Sequence, residues 1–245
     1  MSSKINFSSP QIPCKFHTKK PNLLKRNTII TSSFSSSEKQ QKTLSTTIET
    51  PSNDNKDYSI NFKTKSACKL GISRYPDFEY DAEGGIGNGF GAKATQTQNQ
   101  NSNEILVSFD LETLYIPSLT SSTTKFLGLS LPPFLRIDIV PEAFQGSINQ
   151  ESGKVDLEFK AKFLFSAGRI YKAPPLIVKT VLTSEESKGT MKSGRGMRLD
   201  EEGKCRLVGV ATIDPINDFI MNSFLGLPTE CLAELNAVIS ISSAS

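Results

Sequence analysis

Imidazole is the group most often recruited for acid–base and nucleophilic chemistry near neutral pH, and this sequence has one histidine, His17. It lies in a basic leader expected to be removed. The rest is therefore expected to lack Ser-His-Asp and Cys-His nucleophile systems, His-ligated metals and a His general base. Any catalysis would fall to carboxylates, Lys, Tyr or Cys. The carboxylate pairs Asp77/Glu79, Asp110/Glu112 and Asp156/Glu158 each share a strand face, but no partner group accompanies them. They read as solvated faces, so no catalytic residue is assigned, and no metal or cofactor is expected. Beyond the leader stand Cys68, Cys205 and Cys231, an odd set without C-x-x-C, which reads as reduced, buried small hydrophobes.

Three other groupings could bind rather than react. Gly84, Gly85, Gly87, Gly89 and Gly91 include the loose dinucleotide pattern Gly87-x-Gly89-x-x-Ala92. That pattern needs a helix to follow, and residues 95–103 are a poor helix start, so a flexible loop or glycine-rich strand edge is expected. Six cations fall in the nineteen residues 188–206, and Lys192, Arg195 and Arg198 surround a Gly-rich turn whose amides suit an anion. Acidic neighbours at Glu185, Glu186 and Asp200 suit a solvated hairpin equally well. Last, the tetrapeptide F-L-G-L occurs twice, and Phe126, Leu127, Leu129, Phe224, Leu225 and Leu227 are candidates for a cavity rim or a partner contact.

Strands must position these groups. From Val155 to Ser166 apolar and polar residues alternate with period two, as they do over 105–115 and 135–140. Residues 176–182, 205–213 and 237–241 are shorter and β-branched, with turn chemistry at 151–153 and 201–203. One helix is signalled after 214, with Asp214 as cap, Pro215 in the first turn, Ile216, Phe219, Ile220 and Phe224 on one face, and Gly226 and Pro228 as stop. Sliding the chain against itself by 98 residues aligns the two F-L-G-L segments and yields nine identities over the 58 positions 72–129. The expected fold is all-β and mainly antiparallel with one or two short helices. It should form a β-barrel or β-sandwich over 58–245, with candidate half-repeats at 58–147 and 155–245, each carrying a Pro-led helix.

The net charge of +3 is uneven. Residues 1–50 hold eight Lys/Arg and two acids, which leaves 20 cations against 23 acids downstream. The leader, with no acid before Glu38 and a Ser/Thr tract at 31–37, has plastid transit-peptide composition, and residues 38–57 read as linker. The expected location is the chloroplast, in the stroma or on the stromal face of the thylakoid. No apolar run reaches the roughly 18 residues of a spanning helix. A negative domain disfavours nucleic acid. These readings suit a non-catalytic protein holding a hydrophobic small molecule (lipid or pigment) or joining a thylakoid protein complex, with peripheral membrane contact allowed. The competing reading is a cofactor-free, histidine-independent barrel isomerase or cyclase.

Overall fold

The computed structural model describes residues 57–94 and 103–243. The leader and linker before 57 and the polar stretch 95–102 lie outside the described residues. The elements of the first half are β1 (Tyr58–Thr64), β2 (Cys68–Ile72), β3 (Phe78–Tyr80), β4 (Ile86–Lys93), β5 (Glu104–Phe109), β6 (Thr124–Phe126), β7 (Leu129–Ser130) and β8 (Leu135–Asn149). Then come β9 (Val155–Ala167), β10 (Tyr171–Lys172), β11 (Leu176–Thr183), β12 (Glu186–Lys188), β13 (Ser193–Arg195), β14 (Lys204–Ile213), α1 (Phe219–Leu225) and β15 (Thr229–Ser243).

Eight of these strands close a ring in the order β1-β4-β5-β8-β9-β11-β14-β15, and β15 returns to β1 through pairs from Tyr58↔Ser243 to Thr64↔Ala237. Every ladder in the ring is antiparallel. Closure answers the edge problem of an open sheet, because each ring strand gives both its edges to neighbours. The ring divides at the β8–β9 hairpin into two four-strand meanders, one per half of the chain. Its thinnest seam joins β11 to β14, where one ladder pair, Thr183↔Val208, is helped by the Thr180 hydroxyl donating to the Val210 carbonyl at 2.8 Å. β15 is longer than β1 can cover. Residues 231–234 therefore pair with β2, and β3, β6 and β7 extend from there as a flap beside the barrel.

The alternation along β9 sorts its side chains. Val155, Leu157 and Ala161 are fully buried, while Lys160 and Lys162 reach outward to Glu142 at 2.9 and 2.5 Å and Glu158 meets Lys179 at 3.0 Å. Apolar-in and charged-out is the reverse of a transmembrane barrel's pattern. One end of the interior is filled. Phe109 stacks on Phe144 at 4.5 Å between ring centroids, Phe62 meets Phe144 edge-on at 5.2 Å, and Ile105, Leu157 and Leu207 close around them. The glycine run is what admits these rings. Gly87, Gly89 and Gly91 are the inward residues of β4, and a Cβ at Gly89 would stand 2.9 Å from the Phe109 ring. The run is thus a barrel strand flanked by β1 and β5, and its period of two is that of the pleat.

Other expectations shift at element ends. β5 stops at Phe109 rather than continuing to Tyr115, because the Asp110 carboxylate accepts from the Glu112 amide at 3.0 Å and turns the chain. The helix starts later than its prolines suggest. Asp218, not Asp214, caps it by accepting from the Met221 amide at 2.8 Å, while the Asn222 side chain brackets both backbone groups of Ile216. Its buried face is Met221 and Leu225, so Phe219 and Ile220 stand outward instead of joining the packed stripe, and Phe224 is only partly covered. Among the described residues the Pro-led helix occurs in the second half alone. The first F-L-G-L forms the β6–β7 hairpin, whose central Leu127 and Gly128 both have positive φ, whereas the second ends α1 with Gly226 as its left-handed cap. Each segment nevertheless lies on the connection between the third and fourth ring strands of its half.

Candidate ligand cavity

The alternation of β9 continues past Ala161 with Phe163 and Phe165, yet these two are only half-buried. They face a hollow. A cavity of about 440 Å³ occupies the barrel end opposite the β8–β9 turn, between the filled aromatic cluster and α1. Ile137, Ile139, Val178, Ala211 and Leu235 contribute to the wall from the strands, and Met221 and Leu225 close it from the helix. The volume falls within the range of small-molecule sites, and at liquid density the space would take roughly fifteen waters.

Among the described residues no Asp, Glu, Lys or Arg lines this space. Four of the five hydroxyls on the described wall residues are committed to main-chain carbonyls, the fifth being that of Tyr115, which is 56% exposed. Thr64 donates to Ala82 at 2.5 Å, Thr180 to Val210, Tyr75 to Phe224 at 2.6 Å, and Tyr80 to Pro117. Burial holds the Tyr80 phenol above its ordinary range, so it stays neutral and a donor. Cys231 also lines the wall, and burial pushes its thiol up to about 11. Cys68 and Cys205 are raised likewise by burial, and all three are free thiols. Water inside would thus find few partners, which makes the site favourable to an apolar occupant.

Aromatic side chains frame the mouth. The Tyr75 ring stands 5.6 Å from Phe224 and 6.2 Å from Phe126, Phe78 lies tilted against Phe126 at 4.8 Å, and Phe224 reaches Phe165 at 6.2 Å. The two F-L-G-L segments, about a hundred residues apart in the chain, therefore meet through one tyrosine. Phe126, Phe224 and Leu225 line the cavity. Leu127 and Leu129 lie outside it, 70% and 74% exposed, and Leu227 packs beside Met221 and Leu225. Tyr75, Phe163 and Phe165 were not singled out in the sequence. The two phenylalanines had a signal in the unbroken period-two run, but nothing local marks Tyr75.

The three cations grouped around the Gly-rich turn are distributed differently. Lys192 pairs with Asp77 at 2.7 Å, Arg198 pairs with Glu185 at 2.5 Å, and Arg195 and Arg198 border a polar hollow shared with Glu185 and Glu186. The Gly-rich stretch is no anion turn but strand β13, paired with β12, and the amides that hold an anion, the protein's own, belong to the turn just before it. The Glu230 carboxylate accepts from the Thr190 amide and hydroxyl at 2.7 and 2.6 Å and from the Met191 and Lys192 amides at 2.7 and 2.9 Å. These donors pull its pKa down to about 2. The folded value lies below the unfolded one of about 4.3, so the grip stabilises the fold above that pH and is withdrawn as pH falls toward 2. A Glu230→Gln variant should melt below wild type at pH 7, and the gap in Tm should shrink on titration from pH 5 to pH 3. A gap that stays constant across the titration would refute the assignment.

Among the described residues no cluster of three metal-ligating side chains occurs, and no helix is long and apolar enough to cross a membrane. The fold and cavity define a closed antiparallel eight-stranded barrel, filled at one end and hollow at the other. No family model, curated protein or solved structure matches the chain.

Proposed function

We propose that this protein is a non-catalytic binding barrel that holds a hydrophobic small molecule, a lipid or pigment, in its hollow end. The observation that carries this reading is the uncharged cavity, four of whose five wall hydroxyls are spent on backbone carbonyls. Binding there is driven by removing apolar surface from water, and shape rather than hydrogen bonding sets selectivity. The basic, acid-poor leader supports a plastid setting, in the stroma or at the stromal face of the thylakoid. An accessory role in a thylakoid protein complex is compatible with the same location but draws on no feature of the cavity. An isomerase or cyclase draws on less, because steering a reactive intermediate needs a polar group aimed at it; Tyr75 and Tyr80 are aimed at carbonyls, which leaves Tyr115 as the one wall phenol for that role.

Fluorescence titration of the full chain with cis-parinaric acid tests the reading, with native mass spectrometry for stoichiometry. One saturable equivalent per chain is expected. Val178→Trp and Ile139→Trp should each weaken binding at least tenfold, about 1.4 kcal/mol, by filling the space, without lowering Tm. The natural chain contains no Trp, so each variant also carries its own indole reporter. Absence of saturable binding, or equal binding by wild type and both filled variants, would overturn the proposal.

A further inference from the structure

The barrel end that holds the cavity carries apolar side chains that the fold leaves in water. Ile170, at the β9–β10 turn, is 98% exposed and Phe219, at the start of α1, is 85% exposed. Leu127, Leu129, Phe134 and Ile220 are also exposed. They share one end of the molecule through a chain of contacts. The Gly168 amide donates to the Phe134 carbonyl at 2.7 Å, which ties the β9–β10 turn to the start of β8. The Tyr171 hydroxyl donates to Asp218 at 2.7 Å, which ties the same turn to α1. From α1 the Phe224–Tyr75–Phe126 ring contacts lead to the β6–β7 hairpin.

Leu127 makes the arrangement costly as well as exposed. Its φ of 51° is the left-handed position of a two-residue hairpin, where Asn or Gly is preferred and a leucine carries strain of roughly 1 kcal/mol. A side chain that gains neither burial nor backbone ease in the isolated protein is suited to an environment outside it.

Cations alternate with these tips. Lys125 precedes Phe126 and Leu127, Arg169 precedes Ile170, Lys172 follows in β10, and Arg74 donates to the Ser223 carbonyl at 2.5 Å beside the C-terminal end of α1. None of the four enters an ion pair among the described residues, whereas the side-wall lysines Lys160, Lys162 and Lys179 all do. The acids on the same elements are Glu79 opposite Lys125, Asp214, and Asp218, which is spent on the helix cap and Tyr171. Apolar tips on separate turns, interleaved with unpaired cations, match an interface with acyl chains below and phosphate above.

We propose that this end of the barrel docks on an anionic lipid bilayer, inserting the tips of the β6–β7 hairpin, the β9–β10 turn and α1 so that the mouth opens onto the acyl region. Exchange of ligand between bilayer and cavity rests on the binding reading above, but docking does not. The basic leader would itself attract anionic vesicles, so the test must report depth at individual sites.

Single-Trp variants of the full chain, Phe219→Trp and Ile170→Trp at the mouth and Ser152→Trp at the opposite end, are mixed with phosphatidylcholine vesicles containing 30% phosphatidylglycerol and with matching brominated lipids. The mouth indoles should shift to the blue and lose at least half their emission to bromine, and Ser152→Trp should not respond. In an otherwise unchanged chain, Phe219→Ser with Ile170→Ser should lower vesicle partitioning at least tenfold while leaving Tm unchanged. Co-sedimentation without quenching at the mouth would assign vesicle binding to the leader and overturn docking. So would a soluble dimer that the same Ser substitutions dissolve, since it would give the face to protein. Parinaric acid titration without vesicles separates the two claims: retained binding with no quenching sinks docking alone, and quenching without parinaric acid binding sinks the cavity reading alone.

Discussion

Leu207→Ala should destabilise the protein by about 4 kcal/mol and lower Tm by roughly 8–16 °C, while Leu235→Ala, its partner across the β14–β15 ladder, should cost about half as much. The two leucines are the same size and lie directly opposite each other. Leu207 is fully buried in the aromatic-filled end, so truncation removes its packing contacts and leaves a new void. Leu235 is half-buried and already borders the cavity, so fewer contacts are lost and the vacated space joins one that exists. Thermal melts of both variants, with two-state behaviour checked by two probes, measure the difference. Equal losses would mean that the barrel is packed throughout in solution. Saturating ligand should separate them again, by stabilising wild type and Leu207→Ala similarly and altering the response of Leu235→Ala, whose wall it touches.

Gly146→Ala should be as damaging as a core deletion, at about 3 kcal/mol or more, although it adds a single methyl group. Gly146 is buried in β8 opposite Leu157, where the hairpin strands approach so closely that a Cβ would lie 2.0 Å from the Asp156 carbonyl oxygen and 2.8 Å from the Leu157 Cα. Those are backbone atoms with no rotamer to yield, so the β8–β9 pairing itself must open. Gly168→Ala is the matched control. Its φ of 58° requires left-handed backbone but nothing stands near a Cβ, so about 1 kcal/mol is expected from conformation alone. Denaturant melts of the two should differ clearly in midpoint. A Gly146→Ala midpoint near that of Gly168→Ala would show that the hairpin has slack the fold does not display.

These contrasts mark what a one-dimensional pattern could carry. Period-two alternation depends on nearest neighbours in sequence, so the strand at 155–167, its charged outer face and the antiparallel β class were legible from residues 155–166 with their neighbours. The absence of imidazole beyond His17 was equally plain. Helix limits were less so, because Asn222 and Tyr171 moved the cap from Asp214 to Asp218 through side-chain bonds that local propensity does not register.

Other features depended on closure. Leu157 and Phe163 occupy equivalent places in the same alternation, and only the ring's geometry decides that one meets the rings of Phe144 and its neighbours while the other meets empty space. The two F-L-G-L segments could be noticed as a pair, but their meeting through Tyr75, and the outward turn of Phe219 and Ile220, follow from how two connections of different length and conformation cross one barrel end. The Gly-rich stretch at 193–196 read as amides ready for an anion, but it pairs as β13, and the amides that do hold an anion are those of the turn just before it. The fold supplied that anion as Glu230, about forty residues away, since a buried carboxylate finds its donors by proximity in space. Along a strand such as β9, sequence by itself determined which side chains face in and which face out; tertiary structure decided where the inside is full, because packing is a property of all eight strands at once.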